Sequence, residues 1–198
     1  MKLIQTVWLA GVIAMLNVAH AATGDVPPDY LTGDRGATQL KPGEAFVPFP
    51  GGGPPPWSRG PLAAGPSLAA ATKAAQTAIA VCASTAHAPI GVSVLDSIGQ
   101  PKVTMAADGA RGWHIYNATR KALTAVGFSE PSSKVAADLG KPEVAARIKP
   151  NMTTMAGAVP LMAGSRLMGA IGVSGAMGGE QDEKCAAAGA AAIAGQLK

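Results

Sequence analysis

The spacing of apolar and polar positions changes several times along this chain, and each change marks an element. Behind Pro66-Ser67, Leu68, Ala71, Ala75, Ile79 and Cys82 recur near helical spacing, and the serine can cap the first turn. After Pro89 the period drops to two: Ile90, Val92 and Val94 share a face, Asp96-Ser97-Ile98-Gly99 forms a turn, and a second extended run covers 102–106. Helical spacing returns over about 113–126, with Ile115, Thr119, Ala122 and Val126 on one side, followed by two short helical pieces at about 132–139 and 143–148. A last hairpin pairs 157–162 with 166–174 across Ala163-Gly164-Ser165, and a closing helix runs over about 180–197. Hairpins separated by helices argue for an α+β sandwich, an antiparallel sheet with helices packed on it and the alanine-rich first and last helices adjacent.

The pattern is absent upstream. Lys2, an apolar run over 7–16 and the small residues of Ala19-His20-Ala21 have the order of a cleaved secretory signal over 1–21. That apolar run is far shorter than the roughly twenty residues a membrane-spanning helix needs, so the expectation is export with no membrane span after cleavage, to the periplasm or the medium. Residues 22–66 hold ten of the sixteen prolines around Gly51-Gly52-Gly53-Pro54-Pro55-Pro56 and read as an extended arm. The arm is either a tether or, through Phe46, Phe49 and Trp57, a segment that docks on a neighbouring surface. Residues 67–198 are the size of one ordinary domain with a single core.

Charge removes one class of function. The formal net charge is +4, falls to +3 without Lys2, and is scattered with no aromatics among the cations, so no nucleic-acid surface is expected. With aromatics at 4% of the chain, the core must be built from small and aliphatic side chains. Cys82 late in the first helix and Cys185 early in the last would form a disulfide in an oxidising compartment; two buried free thiols are the alternative.

Gly169, Gly172, Gly175 and Gly178 recur every three residues, a spacing that fits neither the dinucleotide fingerprint nor a phosphate loop. Glu180, Asp182 and Glu183 then fill the first turn of the closing helix, where carboxylates complement its dipole and repel an anion. A turn with acidic capping is the reading, and Glu180 with Glu183 is a weak cation-binding pair. The segments Val94-Leu95-Asp96, Asp108-Gly109-Ala110, Arg120-Lys121-Ala122, Thr124-Ala125, Pro131-Ser132 and 169–175 resemble the GlcG/HbpS-type family of haem-binding-like proteins, related to the C-terminal domain of PduO-type proteins. The resemblance covers about 68–193. It implies a profilin-like α+β fold, frequent homo-oligomers, and haem or a related tetrapyrrole as ligand. The proline-rich arm departs from it.

With that resemblance, His114 becomes the candidate iron ligand, Trp113 a wall of the pocket, and Asp108 and Arg120 further cofactor-binding residues, in a pocket between the sheet and the His114 helix. Local capping or hydrogen bonding is the competing reading of His114. His87 reads as a residue at the end of the first helix interacting with its dipole, and the methionines as core filler. The histidines are too few for a three-histidine zinc site, and no spacing brings a serine or cysteine to an oriented histidine, so no catalytic residue is assigned. The expected function is an exported binding module for haem or a similar small molecule. The alternatives are an oligomeric accessory protein that binds a protein partner and an enzyme acting on a small organic acid.

Overall fold

In the computed structural model, which describes residues 63–198, the chain comes into the domain across the first strand turn, where the Ala64 carbonyl accepts the Ser97 N–H at 2.8 Å. The expected signal sequence 1–21 and the arm up to residue 62 lie outside the described residues. Ser67 caps helix α1, Leu68–Thr85, its hydroxyl accepting the Ala70 N–H at 3.2 Å. Strands β1, Gly91–Asp96, and β2, Pro101–Ala106, form the first hairpin. Its turn is held by Asp96, whose Oδ1 accepts the N–H groups of Ile98 and Gln100 at 3.1 and 2.9 Å. Helices α2, Gly112–Phe128, α3, Ser132–Ala137, and α4, Pro142–Ala145, lead to the second hairpin, β3, Ala158–Ala163, and β4, Arg166–Ser174. Helix α5, Gly179–Ala191, and a short 3₁₀ turn, Ala194–Gln196, finish the chain.

The sheet is antiparallel throughout, in the order β2-β1-β4-β3, with Val94 opposite Ile171 and Ser93 opposite Gly172 across its centre. Helices α1 and α5 cover one face and α2 the other. This is the α+β sandwich the sequence pattern implies, with first and last helices side by side. Because both faces are covered, every residue of β1 is buried, where a one-sided antiparallel strand would alternate. On the α1/α5 face the core joins Ile90, Val92, Val94, Ile171 and Val173 to the alanines of α1. A smaller cluster under α2 contains Leu95, Ala122, Ala125, Ala158 and Ala170.

Of the expected stripes, Ala71, Ala75, Cys82, Thr119 and Ala122 are buried, the remaining members are not, and glycine explains the largest departure. A Cβ on Gly91 would sit 2.5 Å from the Ile115 nitrogen, and one on Gly172 2.1 Å from the Ala118 oxygen, so α2 lies on the sheet backbone to backbone. Only small or well-partnered side chains fit beneath it, which turns Ala118, Lys121, Ala122 and Ala125 inward and leaves Ile115 and Val126 half-buried at the flanks. At Gly91 and Gly172 this contact leaves no room for a cofactor between the sheet and α2. In α1 the buried stripe is Ala70, Ala71, Ala74, Ala75, Ala78 and Cys82, and Leu68 is 65% exposed. Helix α5 stops at 191 instead of 197 because the chain turns to bring Ile193 into the core. Among the described residues no helix is long and apolar enough to cross a membrane.

Cys82 and Cys185 form the disulfide, joining α1 to α5 with Cα atoms 5.6 Å apart. It closes a loop with a sequence separation of 103, for which chain entropy alone gives about 4 to 5 kcal/mol. Chemical denaturation of the Cys82→Ala/Cys185→Ala protein is therefore expected to show a loss of about 2 to 5 kcal/mol. A loss below about 0.5 kcal/mol would mean that the bond does not constrain the unfolded chain.

Candidate functional site

Two local structures meet at one end of the sheet. Helix α1 ends with the Ala86 N–H bonded to the Cys82 carbonyl at 2.9 Å, and the next residue, His87, takes a left-handed backbone with φ +49° before Pro89 starts the extended run. Opposite it, the turn after β2 is closed by the Ala110 N–H on the Ala107 carbonyl at 2.9 Å, with Gly109 at φ +81°. The Ala107 N–H bonds the Ile90 carbonyl at 2.9 Å, which ties this turn to the start of β1. Between the two lies an open cleft of about 520 Å³, with Ile79, Ala83, Ala88, Pro89 and Ala107 as apolar walls and His87 and Asp108 as polar groups.

The sequence-derived site residues divide around this cleft. Asp108 is in it and exposed. His114 lies behind it at 6% exposure: its Nδ1 accepts the Arg111 N–H at 3.3 Å, and Nδ1 and the carbonyl of Pro89, a cleft wall, both crowd Gly175. Here the local capping geometry considered for His114 is present, and iron could reach Nδ1 only after displacing the Arg111 N–H. Gly175 makes room for the imidazole, since a Cβ there would stand 3.0 Å from Nδ1. Trp113 is 51% exposed and meets His114 edge to face with ring centroids 4.1 Å apart. Arg120 is turned elsewhere, bonding the carbonyls of Pro150 and Met152 at 3.2 and 2.6 Å, with its guanidinium over Tyr116. His87, read from sequence as a helix-end residue, is the histidine that the cleft exposes. Its signal was the left-handed position after the helix, which sequence spacing does not reveal for a non-glycine residue.

A buried polar knot holds this end together. Lys121, 1% exposed, donates to Asp182 Oδ2 at 2.6 Å and to the Val173 carbonyl at 3.1 Å, while Asp182 Oδ1 accepts the Ala176 N–H at 2.9 Å. Burial pushes the Asp182 carboxyl above the usual carboxylate range, and the Lys121 charge opposes that shift. Glu183 accepts the Ser133 hydroxyl and N–H at 2.6 and 3.1 Å and the Gly157 N–H at 3.3 Å. Its carboxylate is thus spent on structure, so the glutamate pair expected as a cation candidate is not assembled. Among the described residues no group of three acidic, histidine or cysteine side chains could hold a metal ion. Of Met152, Met155, Met162 and Met168, the methionines read as core filler, Met168 is buried, Met152 and Met162 are half-buried and Met155 is 53% exposed.

Burial, reinforced by the Arg111 charge and opposed by Asp182, holds the His114 imidazole below the ordinary histidine range. An unfolded chain takes up that proton near pH 6.5, so just below it the unfolded state binds more protons than the folded one and stability falls as pH drops. Thermal melts taken from about pH 7.5 down to about pH 5.5 are expected to show a smaller decline for His114→Gln than for the wild type. Parallel declines in the two proteins would mean that His114 does not titrate in this way.

The geometry has counterparts among known proteins. A family model described as haem degrading protein HbpS-like matches residues 67–191. The crystal structure of HbpS superposes with a TM-score of 0.62 at 35% identity, covering 69% of this chain and 95% of HbpS. A double mutant of HbpS from Streptomyces reticuli gives the same TM-score and identity over 77% of this chain and 99% of the relative. PduOC, solved as a complex with haem, superposes at 0.57 with 25% identity over 65% of this chain and 95% of its own. No curated protein sequence matches the chain. On the family match and the 35% identity to HbpS, this chain belongs to the HbpS-like family.

Proposed function

We propose that this protein is an exported binder that takes haem, or a similarly flat and apolar tetrapyrrole, into the cleft between the end of α1 and the turn after β2. The observation that carries this reading is the cleft itself. Five of its seven lining residues are apolar, and its volume of about 520 Å³ falls within the range of roughly 300 to 1,000 Å³ usual for small-molecule sites. Lining of this kind fits the faces of a porphyrin, and the openness of the cleft leaves an edge free for carboxylate side arms in water. The relative solved with haem supports the same ligand class.

Bound haem would supply a redox-active iron; the residues of this chain hold it, keep one face dry and position the walls. His114 contributes from behind the cleft, where its ring packs beside Gly175 and the Pro89 carbonyl and backs one wall. The function is sequestration or hand-over of the intact ligand. Export is supported by the order of residues in 1–21 and by the disulfide, because paired thiols persist in oxidising compartments. Self-association into a homo-oligomer belongs to the same reading, as the resemblance to this family implies.

The test is a spectroscopic titration of ferric haem into the mature protein. Wild type is expected to give a saturable shift of the Soret band, and Ala83→Trp, which places an indole in the cleft from an exposed position on α1, to weaken binding about tenfold or more. A spectrum identical to free haem, or equal affinity in the two proteins, would contradict the site. Loss of the Soret band on adding ascorbate would replace sequestration by haem degradation.

A further inference from the structure

We infer that the His87 imidazole is the axial ligand that fixes the iron of a haem held in this cleft. The inference rests on the haem-binding reading above and deepens it by naming a residue.

Three observations lead to it. The first is the backbone. Among the described residues only His87 and Ser129 have a left-handed conformation without being glycine, and His87 holds φ +49° immediately after the cap of α1. Glycine or asparagine occupies that position at little steric cost, so a histidine there is a local strain that the fold carries. Such outliers cluster where a side chain is needed in one place.

The second observation is surroundings. His87 is exposed and lines the cleft, whose other walls, Asp108 apart, are apolar. A single accessible nitrogen donor among apolar groups is the donor set of a haem pocket and falls short of the several ligands that a bare metal ion needs. The Asp108 carboxylate on the same cleft adds a negative charge, which favours a ferric centre over a neutral macrocycle.

The third observation is the competing histidine. His114 is buried and accepts the Arg111 N–H through Nδ1, beside the Pro89 carbonyl. A ligand seated in the cleft meets His87 directly, whereas His114 does not line the cleft. His87 is therefore the ligating group and His114 a positioning residue.

The experiment compares ferric haem with iron-free protoporphyrin IX on the mature protein, and records resonance Raman spectra of the ferrous haem complex. Wild type is expected to bind haem at least about tenfold more tightly than protoporphyrin and to show an iron–imidazole stretch. His87→Gly removes the ring and relieves the left-handed backbone, so this protein is expected to melt no lower than wild type, to lose the stretch, and to bind the two porphyrins equally. A stretch that survives in His87→Gly, or one lost in His114→Ala but kept in His87→Gly, overturns the assignment of His87 while leaving haem binding intact. Failure of wild type to bind either porphyrin overturns the cleft reading, and the ligand assignment with it.

Discussion

A lysine ammonium inside the protein, 2.6 Å from a buried carboxylate, is the constraint on which the arrangement of helices depends. Lys121 comes from α2 on one face of the sheet and Asp182 from the first turn of α5, which packs on the other. Their contact passes the end of β4, where Lys121 also bonds the Val173 carbonyl. Neither charge is tolerable alone in such surroundings, since an isolated buried ion loses its hydration without return. The pair therefore fixes where α5 begins, and with it the glycine turn, the Ala176 N–H and the Glu183 contacts to α3 and β3.

Small residues make this pinning possible. The sheet supplies Gly91 and Gly172 under α2, and α5 supplies Gly189, where a Cβ would come within 2.5 Å of the Ala74 carbonyl of α1. Helices so close to their neighbours bury little apolar area per residue, so an alanine-rich core gains less from transfer than a leucine-rich one. The disulfide between α1 and α5 offsets part of that deficit by limiting the unfolded chain. It also places the last turn of α1, and hence His87, at a fixed distance from the sheet. The cleft is thus a consequence of the packing: it lies where α1 ends, beyond the region that the close approaches fill.

Much of this was legible in the residues. The period-two run at Ile90, Val92 and Val94, the Asp96 turn and the Ser67 cap each express a local rule, and each appears where the pattern put it. The helix faces were less legible. Periodicity ranked Ile115 and Val126 as inward because it scores hydrophobicity, whereas the space beneath α2 is set by glycines on other elements far away in sequence. The burial of Lys121 is not legible, because a lysine on a helix is ordinarily a solvated residue and its partner lies sixty-one positions on. His87 is legible as a helix-end residue but not as a cleft residue for a related reason: left-handed backbone at a histidine follows from how α1 meets Pro89, not from composition.

The account depends most directly on Lys121 and Asp182 acting as one unit. A double-mutant cycle with Lys121→Met and Asp182→Asn, followed by urea denaturation near pH 7, measures that coupling. Asparagine keeps an oxygen for the Ala176 N–H, so the cycle isolates the charge. Each single change is expected to cost about 3 to 5 kcal/mol, and the double variant to recover most of one of those losses. Single losses under about 1 kcal/mol, or losses that simply add in the double variant, would contradict the claim that this ion pair sets the positions of α2 and α5.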